Sequence, residues 1–162
     1  LLPEDTARFH REYRGYLSRV VLELTEVTRI DADLQAVKMQ ALMRSGGKLA
    51  LDDYGSGYSN ENTLLELAPR FIKVDLTIIR GIDTDPDKQQ IVQNIVAYAH
   101  PRSMQIIAEG VETAAEMRTV IDLGADLLQG YFLARPAAVP DPIAPEAAEI
   151  IRAIQDNRRK RL

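Results

Sequence analysis

Acidic residues in this 162-residue chain recur where its short apolar runs end. The residues that share this position are Glu23, Glu26, Asp52, Asp53, Asp75, Glu109 and Glu112. Buried carboxylates are costly without a counter-charge, so a group of them implies that something cationic neutralises them. The chain has no cysteine and two histidines. A metal bound there would therefore need oxygen ligands, as Mg²⁺ and Mn²⁺ do. Taken singly, each acid is also compatible with a helix cap, a turn or a solvated position.

Lys73 lies between apolar neighbours in the run Phe71–Leu76. A buried lysine is costly unless it faces carboxylates or phosphate, and burial lowers its pKa. The alternative is a structural ion pair with Asp52 or Asp53. Two further features have open readings. Gln129 is either a residue of the ligand site or a hydrogen-bonded amide in the core. Gly55 and Gly57 form either a phosphate-facing loop or a plain turn.

The elements that must position these residues alternate along the chain. Helical spacing predicts helices over Thr6–Arg19, from Asp33 to Gly46, from Ser59 or Asn60 to Pro69, over Asp87–Ala99, from Thr113 to Gly124 and from Pro145 onward. β-branched runs predict strands over Arg19–Glu26, Lys48–Asp52, Phe71–Leu76, Gln105–Glu109 and Asp126–Phe132. This order indicates an α/β fold with a parallel sheet, whose carboxyl-terminal edge carries the ligand site. An open doubly wound sheet and part of a (β/α) barrel both fit five strands.

Composition narrows the class of protein. Apolar residues make up 46% and charged residues 27%, with a net charge of −4, which excludes disordered and fibrous classes. The acidity gives no electrostatic case for duplex nucleic acid. No apolar run approaches the roughly 18 residues of a membrane span, so we predict a cytoplasmic domain whose parent could still be membrane-anchored through upstream segments.

Five segments, in order and spacing, resemble the EAL domain family. They are Glu23-Leu-Thr-Glu26, Leu51-Asp-Asp-Tyr-Gly-Ser-Gly-Tyr-Ser59, Ile72-Lys-Val-Asp75, Ala108-Glu-Gly-Val-Glu-Thr113 and Gln129-Gly-Tyr131. The resemblance extends to about Pro136. It implies a modified TIM (β/α) barrel and a bacterial signalling hydrolase, a phosphodiesterase that cuts the second messenger cyclic di-GMP to the linear dinucleotide with two divalent cations, Mg²⁺ or Mn²⁺.

The resemblance also implies residue roles. Glu23 and Asp52 match ligands of the first metal, Asp53 a ligand of the second, and Glu109 a glutamate at the second metal and its water. Lys73 matches the lysine that positions the attacking water and is often proposed as its general base. The supporting positions are Glu26, which anchors the loop containing Gly55 and Gly57, and Asp75, Glu112 and Gln129.

The family's Glu-Ala-Leu motif and an asparagine on the following strand, both metal ligands, have no counterpart in the chain. We therefore expect residues 1–162 to form a partial EAL domain without its opening strands, weak or inactive in isolation. The alternatives are a catalytically inactive cyclic di-GMP-binding or regulatory module, and an interaction domain that docks through the basic tail Arg158–Arg161. The family also suggests a homodimer and linkage to sensory or GGDEF-type domains.

Overall fold

The computed structural model describes residues 11–12, 15–24, 46–56, 64–65 and 68–159. Five strands lie in these ranges: β1 (Val21–Leu24), β2 (Lys48–Tyr54), β3 (Phe71–Val74), β4 (Gln105–Ala108) and β5 (Leu127–Leu128). The helices are α1 (Leu76–Ile79), α2 (Pro86–Ala99), α3 (Ala114–Leu123) and α4 (Pro145–Arg159). Short 3₁₀ turns occur at Leu17–Arg19, Ile82–Thr84 and His100–Arg102. The helix predicted between Asp33 and Gly46 lies almost entirely outside the described residues, and so does most of the helix predicted from Ser59 or Asn60 to Pro69.

The strands form one sheet in chain order, and every neighbouring pair is parallel. A doubly wound sheet would reverse its strand order at a switch point, whereas a (β/α) barrel adds each strand beside the one before it. The topology therefore decides between the two architectures that the strand count left open, in favour of the barrel type.

The core lies between the sheet and its helices. All four residues of β3 are buried, and Ile72 and Val74 have no exposed surface. Helix α3 contributes Met117 and Val120 to the same apolar cluster, and α4 contributes Ile150. Burial on both faces explains why the strand sequences are continuously apolar rather than alternating.

Local signals place several helix ends where they were predicted. Helix α2 ends at Ala99 as predicted and begins at Pro86, one residue before the predicted start, because Asp85 accepts hydrogen bonds from its first turn. Thr113 and Glu116 form a capping box at α3, and Gly124, with φ of 105°, ends that helix. Pro145 begins α4, as predicted. Within the described ranges, no helix is long and apolar enough to cross a bilayer.

Several strand ends differ from the prediction, and three of the differences affect predicted site residues. Strand β3 stops at Val74 instead of Leu76, because the side chain of Asp75 accepts the Thr77 N–H and begins α1. Strand β2 continues beyond Asp52 to Tyr54. Strand β5 has two residues instead of seven, since the backbone turns at Gly130 immediately beyond it. All three differences lie at the carboxyl edge of the sheet, where the acidic residues gather.

Candidate metal centre and active site

Lys73 lies among carboxylates from three neighbouring strand ends. Its Nζ is 2.7 Å from Asp52 Oδ1, 2.9 Å from Glu109 Oε1 and 3.0 Å from Glu23 Oε2. The lysine side chain is 7% exposed, against 14% for Asp52, 15% for Glu109 and 51% for Glu23. Strands β1, β2 and β3 are parallel neighbours and Glu109 directly follows β4, so the sheet itself brings these four residues together.

The charge state of Lys73 follows from these contacts. Burial alone would lower the pKa of Lys73, but hydrogen bonds to Asp52, Glu109 and Glu23 reverse the sign and raise the pKa well above its ordinary range. Burial thus acts in the predicted direction, but the three carboxylates outweigh the loss of solvent and the net shift of the Lys73 pKa is upward. In this arrangement Lys73 is an ammonium group that donates hydrogen bonds.

Asp52 and Asp53 lie together because β2 is irregular at this point. Its register against β3 shifts between Leu51 and Tyr54, and Asp53 has a left-handed φ of 55°. In a regular strand, adjacent side chains point to opposite faces. Here one carboxylate oxygen each from Asp52, Asp53 and Glu109 lie within 4.8 Å of one another. Left-handed backbone in a non-glycine residue is uncommon and is concentrated at functional sites.

The group carries more negative charge than Lys73 balances. Burial raises the pKa of Asp53, and the charges of Asp52 and Asp75 raise it further. Burial also raises the pKa of Glu109, against the opposing effect of Lys73. Several carboxylates in one partly buried place therefore repel one another. Oxygen donors in this arrangement fit a hard divalent cation, which would relieve that repulsion.

The predicted supporting residues have different environments. Asp75 is 9% exposed, and its carboxylate accepts hydrogen bonds from both the backbone N–H and the hydroxyl of Thr77. Its contacts are those of a helix cap, although its charge also acts on Asp53. Glu112 is exposed and pairs with Arg80 at 2.6 Å.

Gln129 follows β5 and is exposed, so it is not a core amide. Its backbone N–H donates to Ala108 and its carbonyl accepts from Val111, which places it beside the end of β4. The turn after Asp53 contains Gly55, with φ of 100° and room for no side chain, since a Cβ there would lie 2.8 Å from Ile78 Cγ1. Glu26 and Gly57 lie outside the described residues.

One buried acid was not singled out from the sequence. Glu116 is 4% exposed and accepts backbone hydrogen bonds from Gly81, Glu112 and Thr113. The spacing Thr113-x-x-Glu116 is a capping-box signature, so the contact of Glu116 with Thr113 could have been predicted from the sequence. The bond from Gly81 joins residues 35 positions apart and had no local signal.

Comparison with known sequences identifies one family. The model of the EAL domain matches residues 2–136. A curated relative, the Pseudomonas aeruginosa bifunctional diguanylate cyclase/cyclic di-GMP phosphodiesterase MucR, is 37% identical over 131 residues, covering 80% of this chain and 19% of the relative. The chain thus spans about a fifth of that protein.

Solved structures show the same likeness. A standalone versatile EAL protein from Vibrio cholerae O395, in its c-di-GMP-bound form, superposes with a TM-score of 0.78 at 30% identity, covering 90% of this chain and 62% of that one. Klebsiella pneumoniae BlrP1, in a manganese/cy-diGMP complex, gives a TM-score of 0.75 at 32% identity, covering 83% of this chain and 36% of that one. The fold of the chain is therefore TIM-barrel-like, and the motif resemblance is confirmed.

Proposed function

Because the chain belongs to the EAL domain family, we propose that it supplies the hydrolytic centre of a phosphodiesterase acting on cyclic di-GMP. The observation that carries this proposal is the placement of Lys73 among Asp52, Glu109 and Glu23, with Asp53 turned into the same group. The names of relatives support the substrate, since MucR is a cyclic di-GMP phosphodiesterase and BlrP1 holds the dinucleotide with manganese.

The carboxylates divide into two sets. Asp52, Asp53 and Glu109 are close enough to share metal ions, and Glu23 reaches Lys73 at the open side of the group. We propose that all four hold two divalent cations, Mg²⁺ or Mn²⁺. Such ions supply an acidified water at neutral pH and neutralise charge on the phosphodiester during in-line displacement.

Lys73 contributes a fixed positive charge. Hydrolysis joins the oxygen of one water to phosphorus and breaks one ester bond, so negative charge grows on the phosphoryl oxygens. The Lys73 ammonium can donate to that water or to a phosphoryl oxygen, and the carboxylates restrict where its Nζ lies. This fits the water-positioning role that the resemblance implies.

The test measures conversion of cyclic di-GMP to the linear dinucleotide with Mn²⁺, using the intact protein that the gene encodes. Asp52→Asn and Glu109→Gln should each lower the rate by about 100-fold or more. Matched controls are Asp122→Asn and Glu149→Gln, which alter exposed acids on α3 and α4 and should leave the rate unchanged. Binding of the dinucleotide without turnover would contradict the proposal and favour an inactive binding or regulatory module.

Other features stay predictions from the sequence. We propose that residues 1–162 form a partial EAL domain, and that the protein works in the cytoplasm as a homodimer linked to sensory or GGDEF-type domains. The relative MucR combines a diguanylate cyclase with a phosphodiesterase, which supports the last of these. Size-exclusion chromatography with light scattering tests the dimer.

A further inference from the structure

Glu116 binds more backbone than a helix cap requires. Its Oε2 accepts the N–H groups of Glu112 at 2.9 Å and Thr113 at 3.0 Å, as a capping box allows. Its Oε1 accepts the N–H of Gly81 at 2.8 Å, from the segment that follows α1. One buried carboxylate thus joins the segment after β3 to the loop after β4.

Both segments are also joined at the surface. Arg80 precedes Gly81 and pairs with Glu112 at 2.6 Å, but these side chains are 59% and 43% exposed. An exposed ion pair loses much of its attraction to solvent and to the disorder of long side chains. The buried link is charge-assisted and shielded from water, so it can set the distance between the segments.

The segment after β3 is held from its other side as well. Lys88 on α2 donates to the carbonyls of Thr77 at 2.8 Å and Arg80 at 2.7 Å. Because these bonds hold the end of α1, the hydrogen bond from Gly81 to Glu116 also restrains the position of the loop after β4. That loop begins with Glu109 of the acidic group and carries Glu112.

We propose that Glu116 is a positioning residue that holds the Arg80–Glu112 pair, and the loop between Glu109 and Glu112, at the edge of the acidic site. The effect on turnover rests on the proposed function. The joining of the two segments does not.

Glu116→Gln tests the link with little change in size. Glutamine keeps one oxygen, which suffices for the capping box, but its NH₂ group cannot accept the remaining N–H. Hydrogen exchange should therefore speed up by about tenfold at the Gly81 amide, with no change at Ile106 in β4, because one local hydrogen bond is lost. Thr113→Ala removes the cap hydroxyl, and with it a contact to Glu116, but leaves the Gly81 bond, so it controls for loss of the helix cap without loss of the link between the two segments.

Kinetics provide the second measurement. Glu116→Gln should lower kcat/KM for cyclic di-GMP by about tenfold, whereas Thr113→Ala and the surface control Glu149→Gln should not. If Glu116 acts through the pair, adding Arg80→Met to Glu116→Gln should cause little further loss.

Two results would overturn the proposal. One is unchanged exchange at Gly81 in Glu116→Gln. The other is equal loss of kcat/KM in Glu116→Gln and Thr113→Ala, which would indicate general destabilisation. A protein with no turnover would contradict the proposed function instead, and exchange at Gly81 and Glu112 would still decide whether Glu116 joins the two segments.

Discussion

Replacing Lys73 by methionine should destabilise the metal-free protein. The lysine side chain is 7% exposed, and its Nζ lies within 3.0 Å of three carboxylates. Methionine fills similar space but leaves those carboxylates facing one another without a cation. Removing one partner from a buried ion pair costs about 3–5 kcal/mol. Two effects reduce this cost: Glu23 is half exposed, and the variant no longer has to bury a charged ammonium group. We therefore expect Lys73→Met to lose about 3 kcal/mol of unfolding free energy.

That loss is measurable. For a chain of this size, each kcal/mol corresponds to about 2–4 °C, so Tm should fall by about 6–12 °C near neutral pH. Urea unfolding measures the loss of free energy and thermal unfolding measures the fall in Tm, both followed by circular dichroism in chelator-treated buffer. The control Lys48→Met changes an exposed lysine at the start of β2. Its free energy of unfolding should stay within about 0.5 kcal/mol of the parent's.

The pH dependence separates charge from packing. The pKa of Lys73 is raised, so the lysine is charged in both the folded and the unfolded state below its ordinary value of 10.5, and its own protonation does not change across the acid range. The carboxylates of Lys73→Met repel one another until they take up protons. The difference between variant and parent should therefore shrink as pH falls from about 7 to about 4.

Adding Mn²⁺ should restore part of the lost stability, since a bound cation replaces the missing charge. A metal-free Lys73→Met protein as stable as its parent near neutral pH would refute the reasoning. A deficit that did not change with pH would show that packing, rather than charge, is responsible.

Three further predictions concern neighbouring residues. Asp53→Asn should raise the free energy of unfolding by about 0.5–1 kcal/mol near neutral pH but not near pH 3, because the pKa of Asp53 is raised and its ionisation opposes folding; the same variant should weaken Mn²⁺ binding by about tenfold, measured by titration calorimetry. For Glu116, burial raises the pKa, but four hydrogen bonds lower it by more, so the net pKa lies below its ordinary value of 4.5. The stabilising contribution of the Glu116 carboxylate is therefore present above pH 4.5 and lost in more acidic solution. Urea unfolding should accordingly show the deficit of Glu116→Gln above about pH 5 and its disappearance in acid. Gly110→Ala should cost about 2 kcal/mol or more, against about 1 kcal/mol for Gly81→Ala. Both glycines have positive φ, but only at Gly110 would a Cβ meet Leu76 Cβ, at 2.5 Å; thermal unfolding compares the two.

Much of the architecture could be predicted from short stretches of sequence. Both ends of α3 follow from Thr113 and Gly124, and the start of α4 follows from Pro145, because caps and helix-initiating prolines act through neighbouring backbone. The apolar runs identified all five strands. The acids at their ends and the lone Lys73 predicted a charged site at one edge of the sheet.

The sequence by itself therefore determined the class of fold and the family, and it predicted an acidic group around Lys73. Tertiary structure decided how that group works. A period-two strand would separate Asp52 from Asp53, and the shift against β3 with a left-handed Asp53 places both with Glu109. The sign of the Lys73 pKa shift depends on three carboxylates from other strands, and the bond from Gly81 to Glu116 joins residues 35 positions apart. Such contacts have no local pattern, because they exist only once the strands have packed side by side.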